Sequence, residues 1–482
     1  MSPFVLFCYV LAYFIILMAV AWYTGRNSNN ESFFIGNRNS NWVLVAFGMI
    51  GTSLSGVTFV SVPGAVAKDA FSYFQITLGY LIGYVVISFV LLPMYYRLQL
   101  TSIYHFLNAR LGIYSYKTGA SFFILSRTLG ATARLYLVVK ILQDAILGNL
   151  GIPFWATTFI ILTMIILYTY QGGVKTIVWT DTLQTTCMLL GLIVCVFYIL
   201  NSLHFSIIQS LDVMNERGYT KIFFTDHDSK LYFGKQLLAG MFISITMTGM
   251  DQEMMQKNIS VKKLGDSQKN VMTMASVMLI VILLFLFLGG LLLLFAQQNG
   301  ISATGDKLFP TIALNYMPPF VGIIFIIALI SALFPSADGA ITALTSSFCI
   351  DILAINRRVG WSEKRKIRTR HIVHLSFALL FLFFVLVYKW ANNPSMIGVI
   401  LKVAAYTYGP LLGLFTFSIL TKKSVKDRFV PIICIISPIL CYVLDKYQQD
   451  LFGKFEIGLE LLIINGLITF IGLLLIADRK GV

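Results

Sequence analysis

Ala332-Leu333-Phe334-Pro335-Ser336-Ala337-Asp338-Gly339 lies in the middle of an apolar run that extends over 318–350. A helix needs about 20 apolar residues to cross the hydrocarbon core of a bilayer, and this run has them. At mid-depth it carries a helix breaker, a hydroxyl and a carboxylate. Pro335 removes a backbone donor and releases the carbonyl of Ser331 one turn earlier, so a helix interrupted at this depth is expected. A freed carbonyl, the Ser336 hydroxyl and the Asp338 carboxylate are hard oxygen donors, suited to a small hard cation rather than a soft metal. The competing reading is a kinked helix in which Asp338 pairs with Arg134 or Arg127. An ionisable group in a span needs a partner, a wet cavity or a role in transport.

Twelve further apolar stretches accompany this one: 4–24, 42–67, 73–96, 119–147, 152–170, 176–200, 234–256, 270–296, 371–390, 396–420, 429–444 and 457–477. The longest loop between them is 202–233. Composition agrees, with 57% hydrophobic and 12% charged residues and a mean hydropathy of +0.81. No water-soluble core uses that much apolar surface. Lipid offers backbone groups no hydrogen-bond partner, so the crossings must be helices or closed barrel strands. Runs of this length without period-2 alternation predict helices. The chain therefore reads as one all-α integral membrane domain, 1–482, of about 13 transmembrane helices. The run beginning near Met1 has no basic flank and no small-residue cleavage site, and is expected to persist as a span. The six cysteines are scattered through the spans, without the clustering of a disulfide framework or zinc site.

A net charge of +15 raises nucleic acid as a partner. The placement of the charge excludes it. With the N-terminus outside, the cytoplasmic loops hold 23 Lys and Arg, including Arg26 and the run from Arg357 to Arg370, against 9 in the opposite loops. That bias is the positive-inside pattern, and it predicts a multi-pass protein of the cell membrane with its C-terminus cytoplasmic.

The second stretch is unusual too. It reads Gly48-Met49-Ile50-Gly51-Thr52-Ser53-Leu54-Ser55-Gly56-Val57-Thr58. Small residues at this depth either let helices pack closely or unwind the helix so that carbonyls turn toward a cation. Further intramembrane charges are Asp181, Asp251, Glu253, Arg127 and Arg134. The two arginines are seven residues apart, two turns, and share a helix face.

Four segments, taken in order, resemble the sodium/solute symporter family. They are Leu100-Thr101-Ser102-Ile103-Tyr104-His105-Phe106-Leu107 ahead of Arg110, and Gly172-Gly173-Val174-Lys175-Thr176-Ile177-Val178-Trp179-Thr180-Asp181-Thr182-Leu183-Gln184. The others are Asp251-Gln252-Glu253-Met254-Met255-Gln256 and Tyr408-Gly409-Pro410-Leu411-Leu412-Gly413. The resemblance implies a LeuT-like fold: a leading helix (4–24), two inverted five-helix repeats (42–200 and 234–420) and trailing helices (429–477). It implies a main sodium site with carbonyls from Gly51, Leu54 and Ala332 and a hydroxyl from Ser336. Relatives usually place two hydroxyl residues side by side here, whereas this chain has Pro335 before Ser336. A second, variable sodium site would use Asp181, and Asp338 could belong to it. Matching substrate positions are Ser53, Thr58, Thr77 and Tyr80, with Gln252 a weaker candidate. Sugar-carrying relatives tend to have acids or amides where this chain has Thr58 and Thr77. If Arg134 faces the central cavity it could hold a carboxylate, which favours an organic anion or zwitterion.

The expected function is a secondary active symporter that imports a small polar solute (sugar, amino acid or organic anion) by alternating access, with Na+ as coupling ion and no catalytic residues. The alternatives are proton-coupled or uncoupled transport on the same fold, or a membrane sensor or channel. No Gly-x-x-x-x-Gly-Lys-Ser/Thr sequence is present for direct ATP coupling. The expected partners are the solute and the lipid bilayer, with no nucleic acid and no obligate protein partner.

Overall fold

The computed structural model describes residues 3–25, 33–34, 36–169, 173–358, 360–391 and 396–477. Arg26 and Gly172 of the sequence arguments lie outside them. The apolar stretches become helices α1 (Pro3–Gly25), α2 (Trp42–Ser53), α3 (Gly56–Asp69), α4 (Tyr73–Val86), α5 (Ile113–Leu142), α6 (Phe154–Thr169), α7 (Gly173–Leu203) and α8 (Phe233–Ser244). They continue as α9 (Gln252–Ile259), α10 (Leu264–Gln298), α11 (Pro319–Ser347), α12 (Glu363–Ala391), α13 (Met396–Thr407), α14 (Gly409–Leu420), α15 (Val430–Lys446) and α16 (Leu461–Leu475). Among the described residues, eight segments are long and apolar enough to cross a membrane alone, and the bent pairs α2/α3 and α13/α14 bring the number to ten. The shorter α6 and α16, with α8 and its wide turn Ile245–Gly249, complete one helix for each of the thirteen apolar stretches. Among the described residues, pairing of the β type is limited to two isolated bridges.

Two breaks organise the interior. Between α2 and α3 the chain leaves helical geometry at Leu54 and Ser55, and the axis bends by 53°. Both readings of the Gly/Ser/Thr cluster hold, in different places. Leu54 and Ser55 unwind, while Gly48 and Gly51 pack α2 against Asp181 and Thr185 of α7. The corresponding break in the second half falls at Met250 and Asp251, between the Ile245–Gly249 turn and α9. There the Asp251 carboxylate accepts the backbone N–H groups of Glu253 (2.9 Å) and Met254 (3.3 Å), capping α9.

The expected interruption at Pro335 does not occur, because α11 runs unbroken from Pro319 to Ser347. Every residue from Ala328 to Ser347 is buried among neighbouring helices, and a proline inside a membrane bundle is tolerated where neighbours and hydroxyls re-satisfy the backbone. Ser336 Oγ donates to the Leu333 carbonyl (2.9 Å), and Ser331 Oγ donates to Tyr13 Oη of α1 (2.7 Å). The 202–233 loop is also more ordered than its length suggests. A capping box between Ser206 and Gln209 starts a helix at Ile207–Glu216.

Against this frame α4 packs along α8, α7 along α11, and α14 along α16. Just before the α2/α3 break, Gly51 lies against Thr185 of α7 and near Pro335 of α11.

Candidate ion and solute site

Residues on both sides of the α2/α3 break line a central cavity. Thr52, Ser53, Leu54, Ser55, Val57 and Thr58 form one wall, and Tyr73, Tyr80 and Tyr84 of α4 form a second. Arg127 and Arg134 of α5 line it with Ser244, Met247 and Thr248, as do Ile397, Ile400 and Leu401 of α13. Of the expected substrate residues, Ser53, Thr58, Tyr80 and Arg134 border this space.

Thr77 and Gln252 do not. Thr77 is buried, and its hydroxyl bonds back to the Tyr73 carbonyl one turn earlier (3.1 Å), which removes it from the cavity wall. Gln252 holds the 100–107 segment instead: its amide oxygen accepts the Ile103 N–H and its nitrogen donates to the Thr101 carbonyl, both at 3.0 Å. That contact joins two of the four motif segments. Tyr73 and Tyr84 were missed, although their spacing of eleven residues, three turns, places them on one face.

The ion half of the site lies behind the break. A methyl group built on Gly51 would collide with Thr185 Oγ1 and lie 3.7 Å from Pro335 Cγ; one built on Gly56 would lie 3.7 Å from the backbone of Leu333. Gly51 and Gly56 therefore clasp the Leu333–Pro335 turn of α11. Leu54 lies between them, with Ala332 and Ser336 flanking that turn, all five residues being buried. The expected main-site residues are thus brought to one place.

Asp338, one turn further along α11, is fully buried and pairs with neither arginine, which removes the competing reading. It accepts a hydrogen bond from Tyr168 Oη (2.6 Å) and from the Gly339 N–H (2.5 Å). Arg127 instead pairs with Glu253 and lies 3.8 Å from Asp251, which also receives the Tyr408 hydroxyl (2.8 Å). Arg134 makes no ion pair among the described residues.

Asp181 differs from expectation in its partner. Lys257, counted from sequence among the cytoplasmic loop charges, is buried at 2% exposure. Its ammonium contacts Asp181 Oδ2 (2.7 Å), Thr52 Oγ1 (2.6 Å) and Glu253 Oε1 (3.7 Å). One Asp181 oxygen thus serves an ion pair, and the other, Oδ1, has no hydrogen-bond partner. The cation offsets part of the cost of burying the Asp181 charge.

The remaining motif residues tie neighbouring segments together. Arg110 donates to the Ser418 and Thr421 carbonyls (3.1 and 2.5 Å). Asp351 accepts from Ser102, Tyr116 and Ser347 (2.9, 2.9 and 2.6 Å). His105 stacks on Tyr116 with ring centroids 5.0 Å apart. Burial, with the Arg357 charge, holds the His105 imidazole below its usual pKa.

The model of the sodium:solute symporter family matches residues 33–427 of this chain. The sodium/sialic acid symporter NanT of Aliivibrio fischeri is 23% identical over 474 residues, covering 95% of this chain and 92% of the relative. The sodium/sialic acid symporter SiaT of Proteus mirabilis is 24% identical over 498 residues, covering 96% and 94%. Sodium-coupled monocarboxylate transporter 1 of Mus musculus is 24% identical over 414 residues, covering 82% and 65%. Among solved structures, the substrate-bound outward-open state of a Na+-coupled sialic acid symporter superposes with a TM-score of 0.84 at 18% identity, covering 98% of this chain and 99% of that one. MHP1, a nucleobase-cation-symport-1 family transporter, gives 0.57 at 11% identity, covering 92% and 93%. Broken helices around a buried oxygen cluster, the ordered motifs and this match lead to one conclusion: the chain belongs to the sodium:solute symporter family, as a multi-pass membrane transporter with a LeuT-like fold that couples a small solute to Na+.

Proposed function

We propose that the cargo is a small organic anion bearing a carboxylate. Arg134 supports this reading: it faces the cavity beside Tyr73, Tyr80 and Thr58 with no acid paired to it among the described residues. A guanidinium presents a planar fork that matches a carboxylate. The names of several relatives point the same way, being those of sialic acid and monocarboxylate carriers.

Sodium would sit between the α2/α3 break and α11, held by the carbonyls of Gly51, Leu54 and Ala332 and the hydroxyl of Ser336, with Asp181 and Asp338 forming a second, deeper acidic position. The donors are hard oxygens, which fits the ion. One observation carries the coupling: Leu54 belongs to the break that borders α11 and also to the cavity wall. An ion that fixes the break against α11 also fixes Ser53, Ser55 and Thr58 toward the solute, so each ligand favours the conformation that binds the other. The repeats would run from 42 to 200 and from 234 to 420, with the N-terminus outside and the C-terminus cytoplasmic.

Uptake into proteoliposomes under an inward Na+ gradient, a proton gradient or none tests this, with sialic acid, short monocarboxylates and neutral sugars as solutes. Accumulation of a carboxylate that needs Na+ and vanishes in R134Q is expected. Na+-driven accumulation of a neutral sugar with no carboxylate uptake would overturn the proposed cargo.

A further inference from the structure

The proposed main sodium site is short of one side-chain oxygen, because residue 335 is proline and Ser336 alone offers a hydroxyl from α11. The structure brings another hydroxyl to the same junction. Thr185 on α7 is fully buried, and its Oγ1 has no hydrogen-bond partner. Three other threonines on α7 behave differently. The hydroxyls of Thr180, Thr182 and Thr186 each donate to the carbonyl four residues earlier, at 3.4, 2.8 and 2.8 Å. That back-bond is the ordinary resting place of a buried helical threonine. Thr185 forgoes it and turns its oxygen toward Gly51.

Gly51 has no side chain to keep Thr185 away. A methyl group there would collide with Thr185 Oγ1 while lying 3.7 Å from Pro335 Cγ. The orphan oxygen therefore stands where α2, α7 and α11 meet, beside the residue whose hydroxyl is absent. A buried hydroxyl without a partner is costly in an apolar surround, and a cation coordinated by its lone pairs would remove that cost.

Resting on the sodium site proposed above, we propose that Thr185 is itself a sodium ligand, supplying from α7 the side-chain oxygen that Pro335 cannot. The site then draws on three helices. Ion binding ties α7 to the α2/α3 break as well as to α11, and the change from a hydroxyl to proline at 335 is compensated from across the helix interface.

The test is the Na+ dependence of uptake at fixed solute, together with Na+-induced thermal stabilisation of the purified full-length protein, which reads ion binding without transport. T185V keeps the shape and removes the oxygen, and should raise the half-saturating Na+ concentration about tenfold or more, the loss expected for one bond to a charged group. T185S should stay near the parent. Adding P335S to T185V should restore most of the lost affinity, an outcome that a packing role for Thr185 does not produce. Unchanged Na+ dependence in T185V, with S336A impaired, would overturn the role of Thr185 and leave the site itself standing. Unchanged Na+ dependence in both would overturn the sodium site as well. If T185V folds poorly, T185A with and without P335S makes the same comparison: restoration by P335S supports the proposal, and parental Na+ affinity in T185A removes it.

Discussion

The ammonium of Lys257 lies 2.7 Å from Asp181 Oδ2 and 2.6 Å from Thr52 Oγ1, so α9 and α7 are joined across the end of α2 by one buried ion pair. Through Glu253 the pair extends to Arg127, giving the sequence Arg127–Glu253–Lys257–Asp181 of alternating charge through the protein interior. In such an arrangement the attraction of each pair offsets the large desolvation cost of its members, and removing one member leaves its partner uncompensated.

K257M should therefore destabilise the protein by about 3–5 kcal/mol, the range for breaking a buried pair from one side. D181N should do nearly the same. The double variant K257M/D181N should lose much less than the sum, because no orphan charge remains. Thermal unfolding of the purified proteins measures all three, and strictly additive losses would show that the two groups do not act as a pair.

The two arginines of α5 should separate in behaviour although they share a face. R127Q removes one of the two cations beside Glu253 and should lower stability, with Na+ and solute dependence changed only as a consequence. R134Q disturbs no ion pair seen here and should leave the melting temperature within a degree or two. Its solute affinity should fall roughly tenfold to a hundredfold, the value of one charge-assisted contact. Solute titrations of the melting temperature distinguish the two, and equal solute affinity in R134Q and the parent would remove Arg134 from the binding site.

Close approach at Gly51 is open to a similar comparison. G51A drives a methyl into Thr185 Oγ1, and overpacking of this kind costs about 1–3 kcal/mol. G130A is the control: a methyl on Gly130 of α5 meets nothing within 4 Å. It should be neutral or slightly stabilising, by up to about 1 kcal/mol from helix propensity. If G51A melts at the same temperature as G130A, α2 and α7 are not in the contact described.

The thirteen helices were legible because bilayer thickness converts directly into run length, and lipid leaves the backbone few other choices. Gly51, Leu54, Ala332 and Ser336 came from the family resemblance, carried over by position. What composition and spacing did not reveal were the pairings. Lys257 looked like one of four loop lysines, since a positive charge next to a span end fits the positive-inside pattern equally well whether it points to water or inward. Gln252 and Thr77 were named as solute positions by their match to the family, and only the fold shows that each is hydrogen-bonded to backbone. Pro335 pointed to a broken helix on local grounds, but dense packing around α11 carried the helix through it.

His105 gives the fold a dependence on pH whose sign follows from its surroundings. Burial comes first and the nearby Arg357 charge second in holding its imidazole below the ordinary value of 6.5; a hydrogen bond with the Ser102 backbone opposes them. Stacked on Tyr116, whose hydroxyl also serves Asp351, the ring is neutral at pH 7. As pH falls below about 6.5 the unfolded chain takes up a proton that the folded ring resists. The folded state therefore loses stability progressively until the pH passes the lowered folded value. Melting temperatures should accordingly decline from pH 7.5 to 5.5 more steeply in the parent than in H105Q, which keeps a neutral polar side chain but cannot titrate. Parallel slopes for the two proteins would place the pH response elsewhere than at the His105–Tyr116–Asp351 junction.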